Sequence, residues 1–441
     1  MVSTCLTEAA LIPHLPSSKI TRHRQAIPMR KMAKKLAAIV LMLGCAITAA
    51  EAAEQGQGAA ANANCQNTGS FDRWLLGFRQ EAASNGISHA TIAAALDGMT
   101  MDPNIIARDR RQSFFAQSFT SFAAKLISAN RLQNGAAKLK QHRELFAKVE
   151  QEYGVPGPVI AAFWALESDF GGDMGNLPVL RSLATLAYDC RRPDMFRAEL
   201  MDALRIVDRG DLRPAEMIGS WAGELGQTQF LPSHYFKYAV DYDGDGRRNL
   251  LRSVPDVVAS TANLLVSLGW QRGQPWLQEV HVPPNLPWDQ ADLAIQHPRS
   301  KWAAQGVRAA DGKALPSDTL PASLVLPMGR FGPAFLAFDN FQVYLKWNQS
   351  LNYCLTAAHL AARLGGAPPF GRGSGEVPEW SFQQLKELQQ LLARRGFSAG
   401  EADGKLGAAT RAGIKAAQMR FGLPADSYPT QELVEQLRSG R

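Results

Sequence analysis

One stretch constrains this chain more than any other: Val155 to Gly172, VPGPVIAAFWALESDFGG. Pro156 and Pro158 suit the first turn of a helix, where amide donors have no partner to lose. The run from Val159 to Leu166 is apolar on every face. A helix of that kind belongs inside a sizeable core, not on a surface. Gly171 and Gly172 are expected to stop it. One carboxylate, Glu167, stands at its end. A carboxyl group in apolar surroundings has its charged form disfavoured and its pKa raised. Glu167 is therefore a candidate proton donor near neutral pH. The competing reading is an acid that surfaces at the helix end and pairs with an arginine. Ser168 beside it either hydrogen-bonds nearby or caps the turn.

A core able to hide such a helix needs length, and 441 residues allow two or three domains. The net charge of +7 is concentrated at the start. Residues 1–52 carry seven basic side chains against Glu8 and Glu51, which leaves only +2 for the remainder. That balance does not support a basic nucleic-acid-binding patch. Arg30, Lys31, Lys34 and Lys35 precede an apolar run from Leu36 to Leu43, and Ala50-Glu51-Ala52 fits a cleavage site. Residues 1–52 therefore read as a leader and signal peptide, with Met29 or Met32 as candidates for the true start. The apolar run is too short for a stable membrane anchor. Export to the periplasm is the expectation, with lipid anchoring through Cys45 as its alternative. Cleavage near Ala52 leaves Cys65, Cys190 and Cys354 in a compartment that permits disulfides. Cys354 lies among apolar residues in a helical pattern, so Cys65 is expected to pair with Cys190. Without CxxC or HExxH no zinc site is expected.

Residues 53–69 are expected to form a flexible tail. Helical patterns run over Phe71–Leu96, Phe114–Ile127, Leu139–Tyr153, Leu177–Tyr188, Met195–Arg209, Val254–Leu268 and Phe341–Leu364. Frequent proline and short β-type runs mark 276–333 as a small mixed lobe inserted before the last core helices. A linker over 366–379 leads to a small helical module over 380–438. The fold class is mainly α.

Three further stretches offer chemistry. In Gly223-Glu224-Leu225-Gly226-Gln227-Thr228-Gln229 the glycines allow backbone and ligand to approach closely. Gln227 and Gln229 offer amides suited to sugar hydroxyls and N-acetyl groups. Glu224 is either a second carboxylate of the site or a paired acid at a helix start. Asp241-Tyr242-Asp243-Gly244-Asp245-Gly246-Arg247 matches the first half of an EF-hand loop, but position twelve is Arg252 where a bidentate glutamate is needed. It is either a weak calcium site, held by Asp241, Asp243, Asp245, the Arg247 carbonyl and Asn249, or a metal-free acidic turn. No cofactor is required. Lys346 to Tyr353 combines aromatic rings and amides, which suit sugars and ordinary cores alike.

Taken together these residues resemble the lytic murein transglycosylases of the B type. The resemblance rests on ALESDFGG, RSLATLAYDCRRPDMF, SWAGELGQTQFLPSHYFKYAVDYDGDGRRNL, ANLLVSLGW and WNQSLNY, in the family's order, over about residues 70–365. It implies a lysozyme-like helical catalytic domain with a small inserted α+β lobe. It implies that Glu167 is the single acid/base. Ser220 and Gln229 would lie beside the reacting sugar, and Arg191, Arg192, Asn263, Asn348 and Tyr353 at substrate-cleft positions. Trp347 stands where some members have tyrosine, and Glu224 where some have alanine. The C-terminal module resembles a three-helix peptidoglycan-binding domain, through Asp403-Gly404-Lys405-Leu406-Gly407-Ala408-Ala409-Thr410 and the Asp426 to Thr430 turn. The expected activity is cleavage of the β-1,4 bond between N-acetylmuramic acid and N-acetylglucosamine, leaving 1,6-anhydro ends. A hydrolytic muramidase using Glu224, or a non-catalytic wall-binding scaffold, are the alternatives. Expected partners are glycan strands and other cell-wall enzymes, with the protein itself a monomer.

Overall fold

The computed structural model describes residues 67, 69–110 and 117–440. Helices dominate them. Serines set many of the starts: Ser70, Ser88, Ser128 and Ser253 each accept the amide three residues on, satisfying a donor the helix leaves open. Three expected helices prove to be pairs. Phe71–Leu96 divides into Phe71–Ser84 and His89–Leu96. Gly86 turns the chain there at φ +87° and Ser88 caps the second piece. The Leu139–Tyr153 pattern is the end of a helix over Ala129–Gln141 followed by one over Arg143–Tyr153. Phe341–Leu364 divides into Asp339–Trp347 and Leu351–Leu364. Periodicity continued through each break because the apolar positions on both sides serve one core. The start of the helix expected from Phe114 lies outside the described residues, which resume before Phe119–Leu126.

The central helix spans Gly157–Ser168 and is buried along Val159 to Ala165. It packs against Leu351–Leu364, Ala129–Gln141 and Arg143–Tyr153. Its stop differs from expectation. Asp169 and Phe170 already take the left-handed conformation, at φ +48° and +62°, before Gly171 follows at φ +86°. The Asp169 amide bonds back to Ala165 and the Phe170 amide to Trp164, as at a left-handed helix end. The Phe170 ring meets Trp164 edge-on, and Arg131 holds the Asp169 carboxylate. These contacts stabilise a turn that non-glycine residues adopt only at a cost.

Strands β1 (Leu177–Pro178) and β2 (Ile218–Gly219) make one small antiparallel pair. The lobe holds a five-stranded antiparallel sheet of β3 (Leu277–His281), β4 (His297–Pro298), β5 (Arg308–Ala309), β6 (Pro321–Val325) and β7 (Ala334–Ala337). Its order is β4-β6-β7-β3-β5, so the lobe runs past 333 to include β7. The lobe has its own core around Trp302, Leu324, Leu336 and Phe338.

The C-terminal helices, Phe382–Arg394, Ala408–Arg420 and Gln431–Ser439, enclose a third core around Leu388, Ile414 and Leu433. Its motif residues build the fold: Gln389 binds Asp403 and Thr410, and Gln418 binds Asp426. The module is docked on the lobe. Arg330 pairs with Asp426, Lys415 with Asp292, and Arg411 donates to the Pro327 carbonyl.

Candidate active site

The site is assembled around the end of the Gly157–Ser168 helix. Phe163 and Glu167 lie one turn apart on the same face. The Trp347 indole tilts over Phe163 at 4.3 Å between ring centroids and meets Phe230 edge-on at 5.8 Å. From there its N–H donates to Glu167 Oε1 at 2.8 Å. The Tyr353 hydroxyl donates to the same oxygen. The break between the two helices makes this convergence possible. In one continuous helix, residues six apart point to different sides. Here the Asn348 amide closes the first helix on Tyr344, its side-chain carbonyl accepts from the Ser350 amide, and Ser350 caps the next helix at Tyr353.

Burial pushes the Glu167 carboxyl up to about 7. The donors Tyr353 and Trp347 oppose that rise, and the charge of Glu224 adds to it. The residue keeps partial solvent contact while its carboxyl sits in a largely desolvated seat. Burial raises Glu224 as well, against the Ser220 hydroxyl, which donates to it at 2.9 Å. Tyr353 is held well above the usual phenol range by burial and by Glu167, so it stays a donor. The arrangement offers a protonated acid near neutral pH whose anion, once formed, is met by two fixed donors.

The other expected site residues divide. Ser220 stands in this group through Glu224, with its oxygen also accepting the Ala222 and Glu224 amides. Gln229 sits at φ +48° and donates to the Gly226 and Met174 carbonyls. Gln227 is corrected from a sugar contact to a buried brace. Its carbonyl accepts the Trp164 indole N–H at 2.8 Å, its amide donates to Leu251, and its backbone carbonyl accepts from Ser168. Ser168 thus hydrogen-bonds inward and also accepts the Gly171 amide. The motif glycines answer to protein, not ligand. Gly226, at φ +77°, would carry a Cβ 2.8 Å from the Leu250 carbonyl. Arg191 and Arg192 both spend their charge on the buried Asp109. Asn263 donates to the Tyr238 carbonyl, and Asn348 holds the helix break described above.

In the acidic loop, Asp241 and Asp243 come together with Asp256, one carboxylate oxygen of each lying within 4.8 Å of the others. Asp256 escaped the sequence reading because it lies beyond the twelve-residue loop, in the first turn of the Val254–Ser267 helix. Asp245 accepts the Arg247 amide and stands outside that carboxylate group, and Asn249 accepts the Leu251 amide. Arg247 reaches away to Asp211 and Glu216. Cys190 is disulfide-bonded, whereas its expected partner Cys65 lies outside the described residues, as do the leader and Cys45. Cys354 is free and buried. Trp347, noted in the sequence only as standing where some members have tyrosine, is the residue whose bond to Glu167 was not foreseen. Its place in the WNQSLNY motif was a signal, but nothing local tied it to Glu167.

The family described as transglycosylase SLT domain matches residues 70–362. This chain belongs to that family. A second match, to a peptidoglycan binding domain, covers residues 383–437. Membrane-bound lytic murein transglycosylase B of Escherichia coli (strain K12) is 30% identical over 241 residues, 54% of this chain. The match takes in 65% of that relative's length. Among solved structures, SltB3 from Pseudomonas aeruginosa, in complex with NAG-anhNAM-pentapeptide, is 42% identical with a TM-score of 0.78, over 84% of this chain and 100% of that one. Its complex with NAG-NAM-pentapeptide matches equally. The Escherichia coli lytic transglycosylase Slt35 in complex with calcium is 26% identical with a TM-score of 0.57, over 66% of this chain and 92% of that one. Family and fold are therefore mainly helical and lysozyme-like, with a sheet lobe and a C-terminal peptidoglycan-binding module.

Proposed function

We propose that the protein is a lytic transglycosylase of peptidoglycan, with Glu167 as its single acid/base. The observation that carries this reading is the Glu167 carboxyl, raised to about 7 by burial and met by the Trp347 and Tyr353 donors. Most glycosidases need two carboxylates. One suffices when the substrate supplies the nucleophile. Glu167 protonates the leaving oxygen of N-acetylglucosamine as the bond from muramic C1 breaks, and the muramic N-acetyl oxygen bonds to C1. The Glu167 carboxylate then takes the proton of the muramic 6-hydroxyl. That oxygen bonds to C1, the N-acetyl oxygen leaves, and no water is consumed. A relative crystallised with NAG-anhNAM-pentapeptide supports an anhydro product. Ser220 and Gln229 are assigned to orient the N-acetyl group.

The competing reading is hydrolysis with Glu224 as base, favoured by its coupling to Glu167. Mass spectrometry of muropeptides released from purified murein separates the two. Products one water lighter than reducing muropeptides are expected, and reducing ends would overturn the lyase reading. Glu167→Gln is expected to abolish release.

The acidic loop is assigned a structural calcium ion. Hard oxygen donors suit that ion, and Asp241, Asp243 and Asp256 fit as its carboxylate ligands. Slt35 in complex with calcium supports this. We also assign the protein to the cell envelope, exported by its basic and apolar leader. Among the described residues no helix is long and apolar enough to cross a membrane.

A further inference from the structure

We propose that Trp347 is a positioning residue: its indole N–H, with the Tyr353 hydroxyl, occupies Oε1 of Glu167 and so places the transferable proton on Oε2. The inference rests on the reading of Glu167 as the acid/base and adds which of its oxygens does the work.

A carboxyl oxygen offers two lone-pair directions. On Oε1 both are taken, by Trp347 at 2.8 Å and by Tyr353. The indole can only donate, so it can never turn round to receive the acid's proton. Tyr353 is buried against the same carboxylate and keeps its own proton. Oε2 accepts no hydrogen bond from any described residue. It is the oxygen left to carry the proton toward a sugar and to take one back. After transfer, the same two donors hold the negative charge, in a site that needs no reorganisation to receive it.

The geometry is built, not incidental. The indole is gripped by Phe163, one turn before Glu167 on the same helix, and by Phe230 from the facing loop. The charged group facing Glu167 from that loop is Glu224. Behind Tyr353 lie Tyr344 and Cys354, both buried. No basic side chain among the described residues pairs with Glu167, so neutral donors alone set its orientation.

Trp347→Phe in the full chain tests this, because phenylalanine keeps the ring contacts and removes only the donor. A hydrogen bond to a charged group is worth about 1.5–3 kcal/mol, so kcat on murein should fall by roughly tenfold or more. KM should hold, and the alkaline limb of the kcat/KM profile should move to higher pH, since a donor that favoured the anion is gone. A parent-like pH profile, or a change confined to KM, would overturn the proposal. The parent's indole N–H resonance that disappears in Trp347→Phe supplies a readout free of turnover. It should titrate with a midpoint near the Glu167 value of about 7, and lose that step in Glu167→Gln. A resonance indifferent to pH there would refute the contact. If Glu167→Gln stays active, the acid/base reading itself fails. If Glu167→Gln is dead while Trp347→Phe keeps the parent profile, only the role of Trp347 fails.

Discussion

Replacing Glu167 by glutamine should stabilise the protein, and only above a certain pH. The folded state raises this carboxyl from 4.5 to about 7. Between those values the folded chain holds a proton that the unfolded chain has released. Stability therefore falls as pH rises from 4.5 to about 7, and stays lower above that. At 1.36 kcal/mol for each pKa unit, the loss amounts to about 3 kcal/mol. Glutamine is close in shape and its carbonyl can still accept from Trp347 and Tyr353. It carries no charge to bury. Thermal unfolding of parent and Glu167→Gln in matched buffers tests this. The two should melt together below pH 4.5. Above pH 7 the variant should melt higher by roughly 5 °C or more, taking a few degrees per kcal/mol in a domain of this size. A gap that does not widen with pH, or one in favour of the parent above pH 7, would refute the claim that burial sets this carboxyl.

Further outcomes follow from the neighbours of that group. Glu224→Gln removes a charge that holds Glu167 up, so the alkaline limb of activity should move to lower pH; an unmoved limb would show that the two acids are not coupled. Gln227→Ala leaves the buried Trp164 indole N–H without its acceptor, at a cost of about 1–3 kcal/mol measurable by urea unfolding; a neutral result would return Gln227 to the cleft. Calcium added to chelator-treated protein should raise Tm, and Asp256→Asn should blunt that rise; equal melting with and without the ion would remove the assigned site. Burial pushes the Cys354 thiol up to about 12, so it should resist alkylation until the chain is denatured.

Several features of this protein were settled by residues close together in sequence. An unbroken apolar run after two prolines can only be a buried helix, and a lone carboxylate at its end already carried the argument for a raised pKa. The aspartates and glycines of the acidic loop likewise declared their turn. Each of these depends on spacing within one or two helical turns, which sequence reports directly. The tertiary structure decided what those residues meet. Trp347 reaches Glu167 across 180 positions, and Gln227 finds Trp164 across 63. Asp256 enters the acidic group from the next helix, while Arg191 and Arg192 turn to Asp109. Side-chain type alone left Gln227 looking like a sugar ligand and Trp347 as suited to a sugar as to a core. An amide or an indole can serve either role, and the choice falls to whichever partner the packing of distant segments brings within hydrogen-bond reach.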